Sequence, residues 1–306
     1  MVQKKENCLS EIRRLIILGH SGFIGSHIEK YYREQYPEVE ILGRSFPALD
    51  LTSMDDVSAL KLFFDMNTAV VMLSMLKKEH GDNLYNFLKN IQMVINLCKV
   101  MEERPVKSFV YFSSAAVYGE EIHNTNITEE TQIQPTSYYG LAKYTNERLL
   151  YKIINPLENS NLIILRPTVI YGHGDQPCYG PSGFVKAVLE NKNITLWGDG
   201  NELRDFVFID DVVKIIHELM IQSYNGILNI ATGKSYSFVD ILNIINSLTN
   251  SKISVNSRER SKEKVDHQFC NDKLLELLPG FTFTPLIEGI QKTIDFVSSQ
   301  ELRGKI

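Results

Sequence analysis

Leu15-Ile-Ile-Leu18-Gly19-His-Ser-Gly22-Phe-Ile-Gly25 joins a short apolar run to three glycines spaced three apart, directly ahead of a helical stretch that carries His27 to Tyr32. The pattern predicts a strand, a tight turn and a helix. Gly19 suits the turn, Gly22 lets a ligand approach the backbone, and Gly25 lets the helix pack close to the strand. The amides of Gly22, Phe23, Ile24 and Gly25 would then open a helix, where they suit the phosphates of a dinucleotide. A plain strand-to-helix turn does not call for three glycines in this register.

Outward from that stretch, apolar runs alternate with amphipathic ones as far as Leu165. Strands are expected near Leu15 to Leu18, Val39 to Leu42, Ala69 to Leu73, Phe109 to Phe112 and Leu162 to Leu165. The clearest helical period covers Asn83 to Val100, with Leu84, Phe87, Leu88, Ile91, Val94, Ile95 and Cys98 at spacings of three and four. Repeated strand-helix-strand units predict an α/β fold with a Rossmann-type, doubly wound parallel sheet over residues 13–166. After Arg166 the chain turns to Gly- and Pro-containing loops, so 167–306 is expected to form mainly a smaller C-terminal α/β subdomain. Gly226 to Ala231 reads as a buried strand, and a segment near 204–245 is expected to return to the first domain.

Bulk properties narrow the classes. The chain has 306 residues, a net charge of -5 and 43% hydrophobic residues. The negative balance argues against a nucleic-acid or anionic-membrane surface, and no apolar run approaches the length of a membrane span. The first dozen residues read as a polar lead-in without a signal-peptide core, which makes the cytoplasm the expected compartment. Cys8, Cys98, Cys178 and Cys270 are widely separated, so reduced thiols and no metal site are expected.

The chemistry-bearing residues are Ser114, Tyr139 and Lys143. Ser114 ends the run Lys107-Ser-Phe-Val-Tyr-Phe-Ser-Ser114, and Ser137-Tyr-Tyr-Gly-Leu-Ala-Lys143 begins with a residue suited to cap a helix. On that helix Tyr139 and Lys143, four apart, share a face. The ammonium would favour the phenolate, which makes a phenol into a base. Lowering a tyrosine from about 10 to near 7 needs roughly 4 kcal/mol, and one cation about 4 Å away supplies that at an effective dielectric of about 20. Tyr85 and Lys89 have the same spacing but no hydroxyl residue 25 positions upstream, and read as helix surface.

At the end of the second expected strand, Gly43-Arg44-Ser45 carries no acid to grip ribose hydroxyls. Gly43 leaves space, and Arg44 with Ser45 suits a 2′-phosphate, favouring NADP(H) with NAD(H) as the alternative. Asp50-Leu51 comes where a third strand would approach an adenine, although Asp50 could equally cap the next helix.

Gly19-x-x-Gly22-Phe-Ile-Gly25, Ser114-Ala-Ala-Val-Tyr-Gly119, Tyr139-x-x-x-Lys143, Arg166-Pro-Thr-Val-Ile-Tyr-Gly172 and Gly198 to Asp211 follow one another in an order that resembles the extended short-chain dehydrogenase/reductase family. The resemblance covers residues 14 to 295 and implies an NAD(P)-dependent enzyme acting on nucleoside-diphosphate sugars. By resemblance Tyr139 is the acid or base, Lys143 holds the nicotinamide ribose, and Ser114 binds the reacting sugar oxygen. Leu73, Ser74, Asn90 and Pro167 would lie by the cofactor, and Arg204 would grip the substrate diphosphate, its site falling in the C-terminal, substrate-binding subdomain. His173 and Cys178 are possible proton donors, though residues of this kind in a loop are more often structural. The resemblance also implies a homodimer formed by helices near 84 to 101 and 137 to 153.

The dehydratase branch carries an Asp-Glu pair after a threonine at the Ser114 position, whereas this chain has Ala115 and Ala116. That disfavours dehydration. The Gly43-Arg44 tip points to a reductase of a nucleoside-diphosphate keto sugar. The alternatives are a 4-epimerase with tightly bound NAD, and a non-catalytic dinucleotide sensor or scaffold.

Overall fold

The first strand opens on Arg14, continues through four buried apolar residues to Leu18 and stops where Gly19 breaks the run. In the computed structural model, which describes residues 12–175, 180–250, 254–260 and 263–303, the strands are β1 (Arg14–Leu18), β2 (Glu40–Arg44), β3 (Thr68–Met72), β4 (Ser108–Phe112), β5 (Asn124–Ile127), β6 (Asn161–Pro167), β7 (Val169–Tyr171), β8 (Ile194–Trp197), β9 (Leu203–Phe208), β10 (Gly226–Ile230), β11 (Ser235–Ser237), β12 (Val255–Arg258) and β13 (His267–Phe269). The helices are α1 (Phe23–Gln35), α2 (Met54–Ser58), α3 (Leu84–Glu103), α4 (Tyr138–Ile154), α5 (Pro181–Leu189), α6 (Ile209–Ile221), α7 (Phe238–Thr249), α8 (Asp272–Leu277) and α9 (Leu286–Arg303). Cys8 and Cys178 lie outside the described residues, as does nearly all of the polar lead-in.

The chain divides into two compact units. The first comprises residues 1–120, 131–167 and 213–229, and the second 121–130, 168–212 and 230–306. In the first, six strands stand in the order β10-β6-β4-β3-β1-β2. The pairings of β1 with β2, β1 with β3, β3 with β4 and β4 with β6 are parallel. Successive side chains alternate between faces. Ile16, Leu18, Val70, Met72, Phe109, Tyr111, Leu162 and Ile164 therefore join Val94, Leu97 and Leu150 of α3 and α4 in one core. The intervening Leu15, Ile17, Val71, Val110 and Ile163 are buried too, as a parallel sheet covered on both sides requires. This is the Rossmann-like sheet flanked by helices that the alternation predicted.

Observed boundaries shift by one to three residues. α3 begins at Leu84 because the Asn83 side chain caps it by accepting from the Asn86 amide, and it runs on to Glu103. Tyr85 is an exposed residue of that helix, with the Lys89 ammonium 4.6 Å above its ring.

In the second unit, β9 pairs parallel with β7 and antiparallel with β11, while β8 with β12 and β5 with β13 form two-stranded sheets. Phe184, Phe206 and Phe238 meet edge to face in its core. α7 starts at a capping box in which Ser237 and Asp240 satisfy each other's backbone amides.

Candidate active site

In a parallel sheet every strand of the ladder ends on the same side, so the residues following β1, β3 and β4 share one edge. At that edge the Gly19 amide donates to the Arg44 carbonyl (2.7 Å), and the amides of Leu73 and Ser74 donate to the Leu18 carbonyl. Gly19 has φ +98, which favours glycine, and a Cβ there would come within 3.0 Å of the Ser74 nitrogen. A Cβ on Gly25 would lie 2.3 Å from the Gly19 oxygen and 2.6 Å from the His20 Cα. Both are backbone atoms. Gly25→Ala is therefore expected to cost about 1–3 kcal/mol of unfolding free energy. A loss within 0.5 kcal/mol in denaturant titration, the ordinary range for surface changes, would show that the helix start yields.

Gly22 precedes α1 with no side-chain cap, and the first turn of α1 holds no acid. α2, α3, α4 and α7, by contrast, are capped by Ser53, Asn83, Ser137 and Ser237. The Gly22 amide is spent on the Gly19 carbonyl (3.1 Å), and the opening turn of α1 offers the amides of Phe23, Ile24 and Gly25 to an external anion. With Gly22 free of a side chain beside them, the amides of Phe23, Ile24 and Gly25 fit a pyrophosphate.

The tip of β2 differs from expectation. The space that Gly43 leaves is filled by the His20 ring, since a Cβ there would lie 2.6 Å from two ring atoms. Ser45 accepts from the Ser21 amide and pairs with His20 Nδ1 at 2.8 Å. Arg44 turns a guanidinium nitrogen back to the Gly43 carbonyl. Asp50 accepts from both the amide and the hydroxyl of Thr52, and these bonds hold its carboxyl below the usual range. It does not cap α2, a role taken by Ser53. Leu51 is buried, its carbonyl bonded by Asn96. Asn90 spends its side-chain amide on the backbone of Leu76, through bonds of 2.8 and 3.0 Å. It thereby fixes the strand exit that carries Leu73 and Ser74.

Tyr139 stands in the first turn of α4, where Ser137 accepts from the Gly140 amide and Asp82 accepts from the Tyr139 amide. Gly140 lets this turn press on the segment after β4, because a Cβ would be 2.7 Å from the Ala116 oxygen. Ser114 faces the Tyr139 phenol closely enough to favour its ionised form. Burial, foremost, pushes the Tyr139 phenol up to about 12; Ser114 opposes this, while Glu120 and Glu79 add to it. Lys143 lies 5.6 Å from the centre of the Tyr139 ring and donates to the Phe112 carbonyl. Its ammonium is committed to the strand end, and the expected lowering of Tyr139 is not what the fold produces. A buried ammonium must find an acceptor, and the Phe112 carbonyl is within reach. Burial pulls Lys143 down to about 7, against Glu147, which pushes it up.

Glu147, which the sequence reading passed over, lies one further turn along the face of Tyr139 and Lys143 and is 1% exposed. Its oxygens accept from Ser113 Oγ (2.5 Å), Arg166 Nε (2.9 Å) and Arg166 Nη2 (2.6 Å). Arg166 Nη1 reaches the Tyr118 hydroxyl at 2.9 Å, and that hydroxyl donates to Asn229 at 2.7 Å. Burial works against the Arg166 charge, yet Glu147 and Tyr118 hold its pKa above the ordinary value. The recurrence at Tyr139, Lys143 and Glu147 was a signal available in the sequence.

Pro167 is buried at the end of β6. Arg204 belongs to the second unit, where one guanidinium nitrogen donates to the carbonyls of Leu203 and Val265. His173, also there, has Asp210 at 3.9 Å.

Among known proteins, the model of the NAD dependent epimerase/dehydratase family matches residues 15–231. A putative UDP-glucose 4-epimerase of Methanocaldococcus jannaschii is 28% identical over 305 residues, covering 93% of this chain and 98% of that protein. The fold is similar to that of the Thermus thermophilus UDP-glucose 4-epimerase in complex with NAD, with TM-score 0.81 and 23% identity over 96% of this chain and 100% of the other. It is also similar to that of the Bacillus cereus UDP-glucuronic acid 4-epimerase in complex with UDP-glucuronic acid and NAD, with TM-score 0.82 and 20% identity over 94% and 99% of the two chains.

Proposed function

Because this chain belongs to the NAD dependent epimerase/dehydratase family, we propose that it is a nucleotide-sugar epimerase that works with NAD on a UDP-sugar. The observation that carries this reading is Ser114 facing the Tyr139 phenol, with Lys143 one turn along the same helix, at the sheet edge that also carries the glycine turn. The relatives support an epimerase over the keto-sugar reductase that Gly43-Arg44-Ser45 suggested. At that tip His20 fills the space and Ser45 is already bonded, so little there favours a 2′-phosphate.

NAD would be held by the Gly19 to Gly25 cradle, the Leu73–Ser74 edge and the Lys143 ammonium, and when bound it accepts and returns the hydrogen that leaves the sugar carbon with its electron pair. The proton of the sugar hydroxyl is the chain's own task. The phenolate form of Tyr139 takes it at Oη and gives it back, and Ser114 Oγ holds the same sugar oxygen while that happens. Arg204 is the candidate grip on the diphosphate, suited by its planar fork.

Purified protein is expected to interconvert UDP-galactose and UDP-glucose with no net change in cofactor, and to bind NAD about tenfold or more tightly than NADP, a difference of about 1.4 kcal/mol. Consumption of NADPH by a UDP-4-keto sugar, with no epimerisation, would return the case to the reductase. The proposal includes pairing of two chains through α3 and α4, where Leu84, Tyr85, Leu88, Tyr138, Leu141 and Tyr151 are exposed. A monomeric mass in light scattering at micromolar concentration would remove that part.

A further inference from the structure

Ser114 is held at both ends of its own segment by one buried ion pair. Before it, Ser113 Oγ donates to Glu147; after it, the Tyr118 hydroxyl accepts from Arg166, which is itself bound to Glu147 at two points. All four side chains are nearly or fully buried. The stretch between the two anchors is a single turn of 3-10 helix, Ala115–Tyr118, opened by the Ser114 hydroxyl accepting from the Ala116 amide at 3.1 Å. Glu147 shares the helix face of Tyr139 and Lys143, so both ends of the turn are tied to the element that carries the phenol. The segment is also held by the Tyr118 hydroxyl on Asn229, by the backbone bonds of Ser113 to Leu165 and of Gln134 to Val117, and by the seat of Gly140 against Ala116.

We propose that Glu147 and Arg166 are positioning residues that clamp the segment from Ser113 to Tyr118 onto α4 and so set the register of Ser114 against Tyr139. The inference rests on the reading of Ser114 and Tyr139 as the reacting pair. A hydroxyl that must meet a sugar oxygen tolerates little drift, and a displacement of about 1 Å can cost about 100-fold in rate. Glu147 has a second path to the chemistry. Lys143 is faced by the rings of Tyr111 and Tyr139, the Phe112 carbonyl and the Glu147 carboxylate, with Arg166 on the far side of Glu147. Glu147 is therefore the negative charge that helps Lys143 stay protonated.

The test uses the full chain with Ser113→Ala and Tyr118→Phe, which remove one hydroxyl each and leave the ion pair in place, alongside Glu147→Gln. With UDP-galactose as probe, both single-hydroxyl variants are expected to lose about tenfold or more in kcat with KM within about twofold. Without any substrate, hydrogen exchange of the Ala116 to Gly119 amides should accelerate about tenfold, since one lost bond is worth about 1.4 kcal/mol. In Glu147→Gln the high-pH limb of kcat should move down by about one unit, the scale of a lost neighbouring charge. Wild-type kcat in both single-hydroxyl variants overturns the proposal, whatever Glu147→Gln does and even if that variant does not fold. Faster exchange with unchanged kcat overturns it as well, because the pair would then be purely structural. A wild-type protein inert towards UDP-galactose, with exchange accelerated as expected, removes the epimerase reading instead and leaves the clamp standing as geometry.

Discussion

Tyr139→Phe is expected to lower kcat on UDP-galactose by about 10³-fold, within the range of about 10² to 10⁴ assigned to a positioned proton-transfer group. The substitution removes one oxygen and keeps the ring, so the packing of Lys143 over that ring and the capped start of α4 stay as they are. KM and the melting temperature should change little. The pH dependence has a definite sign. Burial leaves the phenol at about 12, above any working pH, so the ionised fraction grows with each step towards alkaline pH. The half-reaction in which the sugar loses its proton should therefore quicken as pH rises towards about 7, above which Lys143 gives up its charge and the rate turns down. In the Phe variant the residual rate should not respond to pH in that way. A Phe variant with more than about a tenth of the wild-type kcat falls outside the expected range and would move the proton-transfer task to another group.

Arg166→Met carries the largest expected effect on stability. It leaves the Glu147 carboxylate, 1% exposed, without its cation. Removing one partner of a buried pair typically costs about 3–5 kcal/mol, whereas replacing both by apolar residues of similar volume is often neutral. The double variant Glu147→Leu/Arg166→Met should accordingly recover most of the loss in urea unfolding. A single-variant loss below about 1 kcal/mol, the range of an exposed pair, would mean that water reaches the carboxylate and the pair is not buried in solution. The double variant also separates stability from positioning. It should fold, yet it takes from Ser113 and from Tyr118 the ion pair that ties them to α4.

The sheet was legible because its strands are unbroken apolar runs, and such runs leave few options. Leu15 to Leu18 and Leu162 to Leu165 fall in strands as read, and the helix after Asn83 follows from its period and its cap. The glycine turn was legible for a related reason. At Gly19 and Gly25 the need for glycine is a local matter of φ and of backbone atoms 2.3 to 3.0 Å from any Cβ. Reading failed where the partner of a residue is far along the chain. Gly43 looked like room for a phosphate, but the room belongs to His20, from the turn after another strand. Lys143 looked like a neighbour of the phenol on spacing alone, but its ammonium had a closer claim in the Phe112 carbonyl. Glu147 was within reach, since it continues the step from Tyr139 to Lys143. Its meaning depended on Arg166 and Ser113, whose positions no helical period reveals.

The six-stranded sheet is not finished in sequence order. β6 ends at Pro167 and its outer neighbour, β10, begins at Gly226, 59 residues later. At about 5–20 residues per second of synthesis, the ribosome needs roughly 3 to 12 seconds to deliver that last strand. Throughout that interval the growing polypeptide presents an open row of β6 backbone groups, the kind of edge that invites pairing with another chain. The same delay means that a fragment cut anywhere before residue 226 keeps that edge bare permanently, so truncated forms of this protein should be recovered from cells as aggregates rather than as a trimmed first unit.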